Sequence, residues 1–113
     1  MPSAQLAQLD ELDARRCPCG WARRAFAGLA GGVASVHLVD IEVDSRTHYH
    51  RRTTEVYVVL DGEGEMELDG VRFPVRPLSA FYIPPGVRHR AIARLRLLNI
   101  PVPPFAETDE WYD

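Results

Sequence analysis

Alternation of apolar and polar residues governs this chain from about residue 21 onward. Val33 to Val43 is the longest such run: Val33, Ser35, His37, Val39, Ile41 and Val43 share one face, while Ala34, Val36, Leu38, Asp40 and Glu42 share the other. A period of two with many β-branched side chains predicts a strand near the centre of a sheet. Trp21 to Phe26 predicts an earlier strand, broken by Gly28 and the Gly31-Gly32 pair. Further strands are predicted around His48-His50 and over 55–60, 63–68, 71–75, 80–83, 89–93 and 95–100. Asp69-Gly70 between two alternating runs is a strong hairpin signal, so 63–68 should pair with 71–75. Glu63, Glu65 and Glu67 alternate with Gly64, Met66 and Leu68 and read as the solvated face of a half-buried strand.

The ends read differently. Leu6, Leu9 and Leu12 recur every third residue, which suggests a short amphipathic helix or an extended arm. Pro101, Pro103 and Pro104 predict that the chain leaves the sheet after residue 100. The segment from Phe105 to Asp113 combines Phe105, Trp111 and Tyr112 with acidic residues, and is read as a cover over the barrel mouth, a contact with a second subunit, or a loose terminus. Short strands, close turn signals and no internal helix define an all-β sandwich or barrel. A single domain over 1–113 is expected, with an arm at 1–20, a barrel at 21–100 and a tail at 101–113.

Composition narrows the classes. A hydrophobic fraction of 46% fits a folded globular chain, not a disordered one. The net charge of −3, with acids and bases interspersed, gives no electrostatic footprint for nucleic acid or for an anionic membrane surface. No apolar run approaches a membrane span, and no signal peptide is visible at Met1 to Asp13, so a cytoplasmic location is expected. Every basic residue is arginine, which excludes Schiff-base catalysis and a lysine general base. Cys17 and Cys19 flank Pro18, too close to scaffold distant strands, and are read as small residues entering the first strand.

Three of the four histidines fall in two stretches, His48-Tyr49-His50 with Glu55 downstream, and Pro84-Pro85-Gly86-Val87-Arg88-His89. Residues two apart in a strand project from one face, so His48 and His50 can aim at one point. A returning strand can bring Glu55 to that point, and His89 must arrive from a separate strand. Three imidazoles and a carboxylate suit a divalent transition metal. His37, alone on an apolar face, reads as a hydrogen-bonded core histidine.

These residues closely resemble the cupin superfamily. Its first motif, Gly-x5-His-x-His-x3,4-Glu-x6-Gly, is matched by His48, His50, Glu55 and Gly62. Its second, Gly-x5-Pro-x-Gly-x2-His-x3-Asn, is matched by Pro84, Gly86 and His89. Three positions depart: Glu42 and Leu78 replace the opening glycines, and Ala93 replaces the closing asparagine. The resemblance implies a jelly-roll β-barrel holding one metal through His48, His50, Glu55 and His89, with iron, manganese, zinc, nickel and copper all compatible. Four protein ligands on an octahedral ion leave two adjacent positions for water, dioxygen or a bidentate substrate. If Glu55 points inward, Tyr57 and Val59 do too, so Tyr57 is a candidate acid or substrate anchor. Arg46 is a candidate clamp for a substrate carboxylate. The expected activity is a metal-dependent enzyme of dioxygenase type on a small molecule. The alternatives are a metal-assisted isomerase, epimerase or lyase, in which Arg46, Arg88 and Arg90 offer charge, and a non-catalytic ligand-binding module. Homodimerisation through an exposed N-terminal strand is also expected.

Overall fold

The computed structural model describes residues 4–17 and 20–113, so Cys19 and Pro18 lie outside the described residues. Nine strands run in chain order: β1 (Arg15–Cys17), β2 (Gly20–Ala25), β3 (Val36–Ile41), β4 (Thr54–Asp61), β5 (Gly64–Leu68), β6 (Val71–Val75), β7 (Ala80–Ile83), β8 (His89–Ile92) and β9 (Leu95–Val102). They form a six-stranded sheet in the order β1-β2-β3-β9-β4-β7 and a three-stranded sheet in the order β6-β5-β8. All pairings are antiparallel, and the fold is a jelly-roll β-barrel. Among the described residues no helix is long and apolar enough to cross a membrane.

Inward positions alternate along the strands as period two requires. On β4 Tyr57 and Val59 are buried, on β9 Leu95 and Leu97, and on β3 Val39 and Ile41; with Met66, Val75, Ile83 and Ala91 they build one core. β3 is the third strand of six, as its apolar run predicts. Its paired part is shorter than the run, since Val33 and Val43 are exposed outside it.

The predicted hairpin forms, with Leu68 opposite Val71 and positive φ at both Asp69 (47°) and Gly70 (82°). Left-handed backbone at both central residues matches the right-handed twist of the flanking strands. Met66 is buried, while Glu67 faces Arg90 and Arg72 across the neighbouring strands.

Three expectations need correction. The arm is extended with one 3-10 turn at Leu9–Glu11, and its end is not an arm at all: β1 pairs with β2 from Arg15 onward. His48-His50 is not a strand; His48 makes an isolated bridge to His89, and Tyr49 one to Trp111. The chain does not leave the sheet at Pro101, which pairs with Glu55 inside β9. The carbonyl of Pro101 accepts from the Ser35 N–H, beyond the end of β3. Within a strand N and C=O point the same way, so the missing N–H falls on the β3 side, past the last residue pair of that ladder.

Two departures from the cupin motifs acquire a physical meaning. Leu78 (φ 75°) and Ala93 (φ 85°) both stand in left-handed backbone. Glycine and asparagine, the residues the motif has there, adopt that conformation at lower cost.

Candidate metal centre

β4 delivers Glu55 to the inner face, and β8 delivers His89. His48 and His50 come from the loop before β4, which is held by backbone hydrogen bonds to the second motif. His48 and His89 exchange N–H···O bonds of 3.1 and 2.9 Å, and Gly86 N–H donates to His50 O at 2.7 Å. The bend at Pro84-Pro85-Gly86 therefore places two of the histidines at once. Their ligand atoms and that of Glu55 all lie within 4.8 Å of one another.

Each imidazole is oriented by a backbone carbonyl. Nδ1 of His48 donates to Arg46 O (3.0 Å), Nδ1 of His50 to Asp109 O (2.7 Å) and Nδ1 of His89 to Val87 O (2.9 Å). A carbonyl only accepts, so the proton sits on Nδ1 and every Nε2 presents a lone pair to the centre. Those lone pairs meet a carboxylate oxygen that also only accepts. Oε1 of Glu55 lies 2.8 Å from Nε2 of His50 and 3.1 Å from Nε2 of His89. The His50 contact is close but outside hydrogen-bond geometry, and this buried Nε2 has no hydrogen-bond partner. Only a proton or a cation between them turns such contacts from repulsive to attractive. The cluster thus has the donor set, tautomers and orphaned nitrogen of a site that could hold a metal ion.

The electrostatics follow from burial and from this mutual proximity. Burial pushes the Glu55 carboxyl up, but His50 and His89 beside it outweigh burial and hold it well below the usual range. Burial, then the neighbouring His89, lowers His48 to about 4. His50 is shifted down by burial and further up by Glu55, for a net upward displacement. Oε2 of Glu55 accepts from Nδ2 of Asn99 at 2.6 Å, which fixes the amide so that its buried Oδ1 has no donor.

The tail completes the centre, the first of the three readings given for it. Tyr49 and Trp111 exchange two backbone bonds of 2.9 Å. The Asp109 carboxylate accepts from the N–H groups of Arg51, Arg52 and Thr53 at 3.1 Å each and from Oγ1 of Thr53 at 2.8 Å. These donors hold its carboxyl down at about 2 despite burial. Glu110 brings Oε1 to 3.9 Å from Nε2 of His48, and burial pushes its carboxyl up. Neither Asp109 nor Glu110 stands out in the sequence, because both lie in an irregular segment among other acids.

Beneath the centre a cavity of about 70 Å³ is lined by His48, Glu55 and Glu110 at one end and by Tyr57, Asn99, His37, Arg24 and Phe105 further in. Tyr57 thus lies where its alternation with Glu55 places it, its ring centroid 6.0 Å from that of His89. Arg46 is exposed, with its guanidinium 4.0 Å from the centre of the Tyr112 ring, and Arg24 is the arginine that lines the cavity among the described residues. Arg88 pairs with Asp113 and Arg90 with Glu67, so both charges are already engaged. Cys17 lines the inner cavity wall. His37 is a buried histidine bonded to Ser35 Oγ at 2.9 Å, and burial with the nearby Arg24 lowers it to about 4.

The chain is similar over its length to solved structures. A protein from Planctomyces limnophilus is 46% identical, with a TM-score of 0.93 and 97% of each chain covered. A Streptomyces nucleoside dehydratase is 19% identical with a TM-score of 0.81, covering 98% of this chain and 92% of the other; at that identity it shows the fold alone. A protein of Methanocaldococcus jannaschii is 33% identical over 75 residues, 61% of this chain and 60% of that relative's length. Residues 36–98, more than half of the chain and both histidine stretches, match the cupin domain, and the protein belongs to that family.

Proposed function

We propose that this cupin is a metal-dependent enzyme that moves protons on a small oxygen-bearing molecule, as a lyase or isomerase does. One observation carries the reading: the three Nδ1-anchored imidazoles and Glu55 converge at the wall of a cavity that Glu110 and Tyr57 also line. His48, His50, Glu55 and His89 would hold a divalent ion, which would supply a Lewis acid for a carbonyl or hydroxyl oxygen. The chain itself supplies the rest. Glu110, half-buried beside His48, is placed to give or take a proton at the cavity mouth. The Tyr57 hydroxyl offers a second polar group deeper in the cavity. The tail is fastened to the loop that carries His48 and His50 by its backbone pairing with Tyr49. The nucleoside dehydratase with the same fold is a precedent for elimination chemistry in such a barrel.

The test is hydrogen exchange under nitrogen. Protein purified without chelators is incubated in deuterium oxide with small 2-hydroxy and 2-oxo compounds, and carbon-bound deuterium is followed by NMR. We expect exchange that disappears in His50→Ala, together with the bound metal, and falls at least tenfold in Glu110→Gln. The dioxygenase reading rests on the positions that four ligands leave open on an octahedral ion. Turnover that requires dioxygen and leaves carbon-bound hydrogen unexchanged replaces the first reading with the second.

A further inference from the structure

Four cavity residues form a single row across the large sheet. Arg24 on β2 is paired with His37 on β3, His37 with Asn99 on β9, and Asn99 with Tyr57 on β4. All four line the cavity. The next row inward is Ala22, Val39, Leu97 and Val59, all buried and all apolar. A polar rung set directly against an apolar one is costly unless its groups are satisfied. Two are not. Oδ1 of Asn99 and Nε of Arg24 are buried without a hydrogen-bond partner.

Arg24 is the more telling of the two. Among the described residues no hydrogen bond and no ion pair within 4.0 Å reaches its guanidinium, although its charge acts from a distance on Glu110, which lines the same cavity. Its partner is the Phe105 ring, 4.3 Å from the guanidinium carbon. A cation over an aromatic face gains about 0.5–1 kcal/mol and satisfies none of the five N–H donors. Arg23, the adjacent residue on the opposite face, is by contrast neutralised by Asp40 at 3.2 Å. A planar, permanently charged fork on a cavity wall, aromatic on one side and without an acceptor, is what carboxylate recognition requires.

We infer that the cavity takes a small hydroxy-carboxylate, its carboxylate on the Arg24 guanidinium, its hydroxyl donating to Asn99 Oδ1, and the hydroxyl oxygen turned toward the His48–His50–Glu55–His89 end. The placement of the reacting end rests on the proposed metal centre; the carboxylate anchor does not. His37, neutral and tied to Ser35, keeps the rung free of a second cation beside Arg24. The cavity volume of about 70 Å³ suits a molecule of a few heavy atoms.

The test compares glycolate with glycolamide, which has the same shape and no charge. Dissociation constants are measured by calorimetry on the chelator-free protein and on Arg24→Gln, with metal content of each determined by mass spectrometry. We expect glycolate to bind at least tenfold more tightly than glycolamide, and Arg24→Gln to erase that preference with metal content unchanged. Equal weakening of both probes means that Arg24 only packs on Phe105, and overturns the anchor. So does an unchanged preference, or no glycolate binding by the unsubstituted protein. If the preference depends on Arg24 but neither protein holds metal, the anchor stands and the metal-centre reading falls.

Discussion

The backbone carbonyl of Asp109 accepts the Nδ1–H of His50 at 2.7 Å while its carboxylate gathers the N–H groups of residues 51 to 53. One residue from the tail thus orients a candidate ligand and fixes the loop that carries it. Asp109→Ala removes the carboxylate bonds and leaves the buried N–H and Oγ1 of Thr53 without that partner, at about 1–3 kcal/mol for a buried unpaired group. We expect a lower urea midpoint, and metal affinity reduced about 10–100-fold as the tail that carries the His50-orienting carbonyl loses its carboxylate ties to residues 51–53. Chelator competition and urea unfolding measure the two effects separately.

Glu55→Gln should act with opposite signs on metal binding and on the metal-free fold. In the metal-free protein the Nε2 lone pairs of Nδ1-protonated His50 and His89 face Oε1 of Glu55. The introduced amide donates to them and still accepts from Asn99 Nδ2. We expect metal-free Glu55→Gln to be at least as stable as the unsubstituted protein, by up to about 1–2 kcal/mol, since a buried contact becomes a hydrogen bond. Metal should no longer raise its melting temperature. Thermal unfolding with and without added manganese or zinc reads both.

Acid should destabilise the metal-free protein partly through His37. Burial, and then Arg24, lowers this group from 6.5 to about 4. The unfolded chain therefore binds the proton first as pH falls. Stability from His37 is fully present above pH 6.5 and is lost progressively down to about pH 4. The loss amounts to as much as about 3 kcal/mol at 1.36 kcal/mol per pH unit. His37→Gln should flatten the urea-midpoint profile across that window by the same amount.

The left-handed backbone positions sort into two kinds. Gly62 (φ 94°) has Arg94 O only 2.5 Å from where a Cβ would sit, so Gly62→Ala meets both strain and a clash with backbone. We expect it to cost about 2 kcal/mol or more. Leu78 (φ 75°) is 81% exposed and gains nothing from its side chain. Leu78→Gly should stabilise by roughly 0.5–1 kcal/mol, because the strain it relieves exceeds the added chain entropy. Chemical denaturation of the two variants gives the signs directly.

How much of this is legible in the sequence depends on the range of the interaction. The four convergent residues are readable because local rules place them: a His-x-His pair, a proline-glycine bend and an inward-facing position on a strand. The hairpin at Asp69-Gly70 is legible for the same reason. Pro101 misleads because its missing donor matters only on one side of β9, and which side depends on where β3 ends. Asp109 and Glu110 are illegible because an irregular tail has no period from which to deduce what it touches. Arg24 and Asn99 are invisible for a different reason: each is the one polar residue on the inner face of its strand, and only the pairing register places both in the same row.

That register gives the polar rung a role during assembly of the sheet. A slip of one residue in any of its four strands turns that strand's polar group out of the barrel. An occupant held by Arg24 and Asn99 would therefore bind only when β2 and β9 are correctly aligned, and would shift the population toward that alignment by mass action. The cavity is in this sense a gauge of alignment: its polar row is drawn from four strands whose order in space is not their order in the chain.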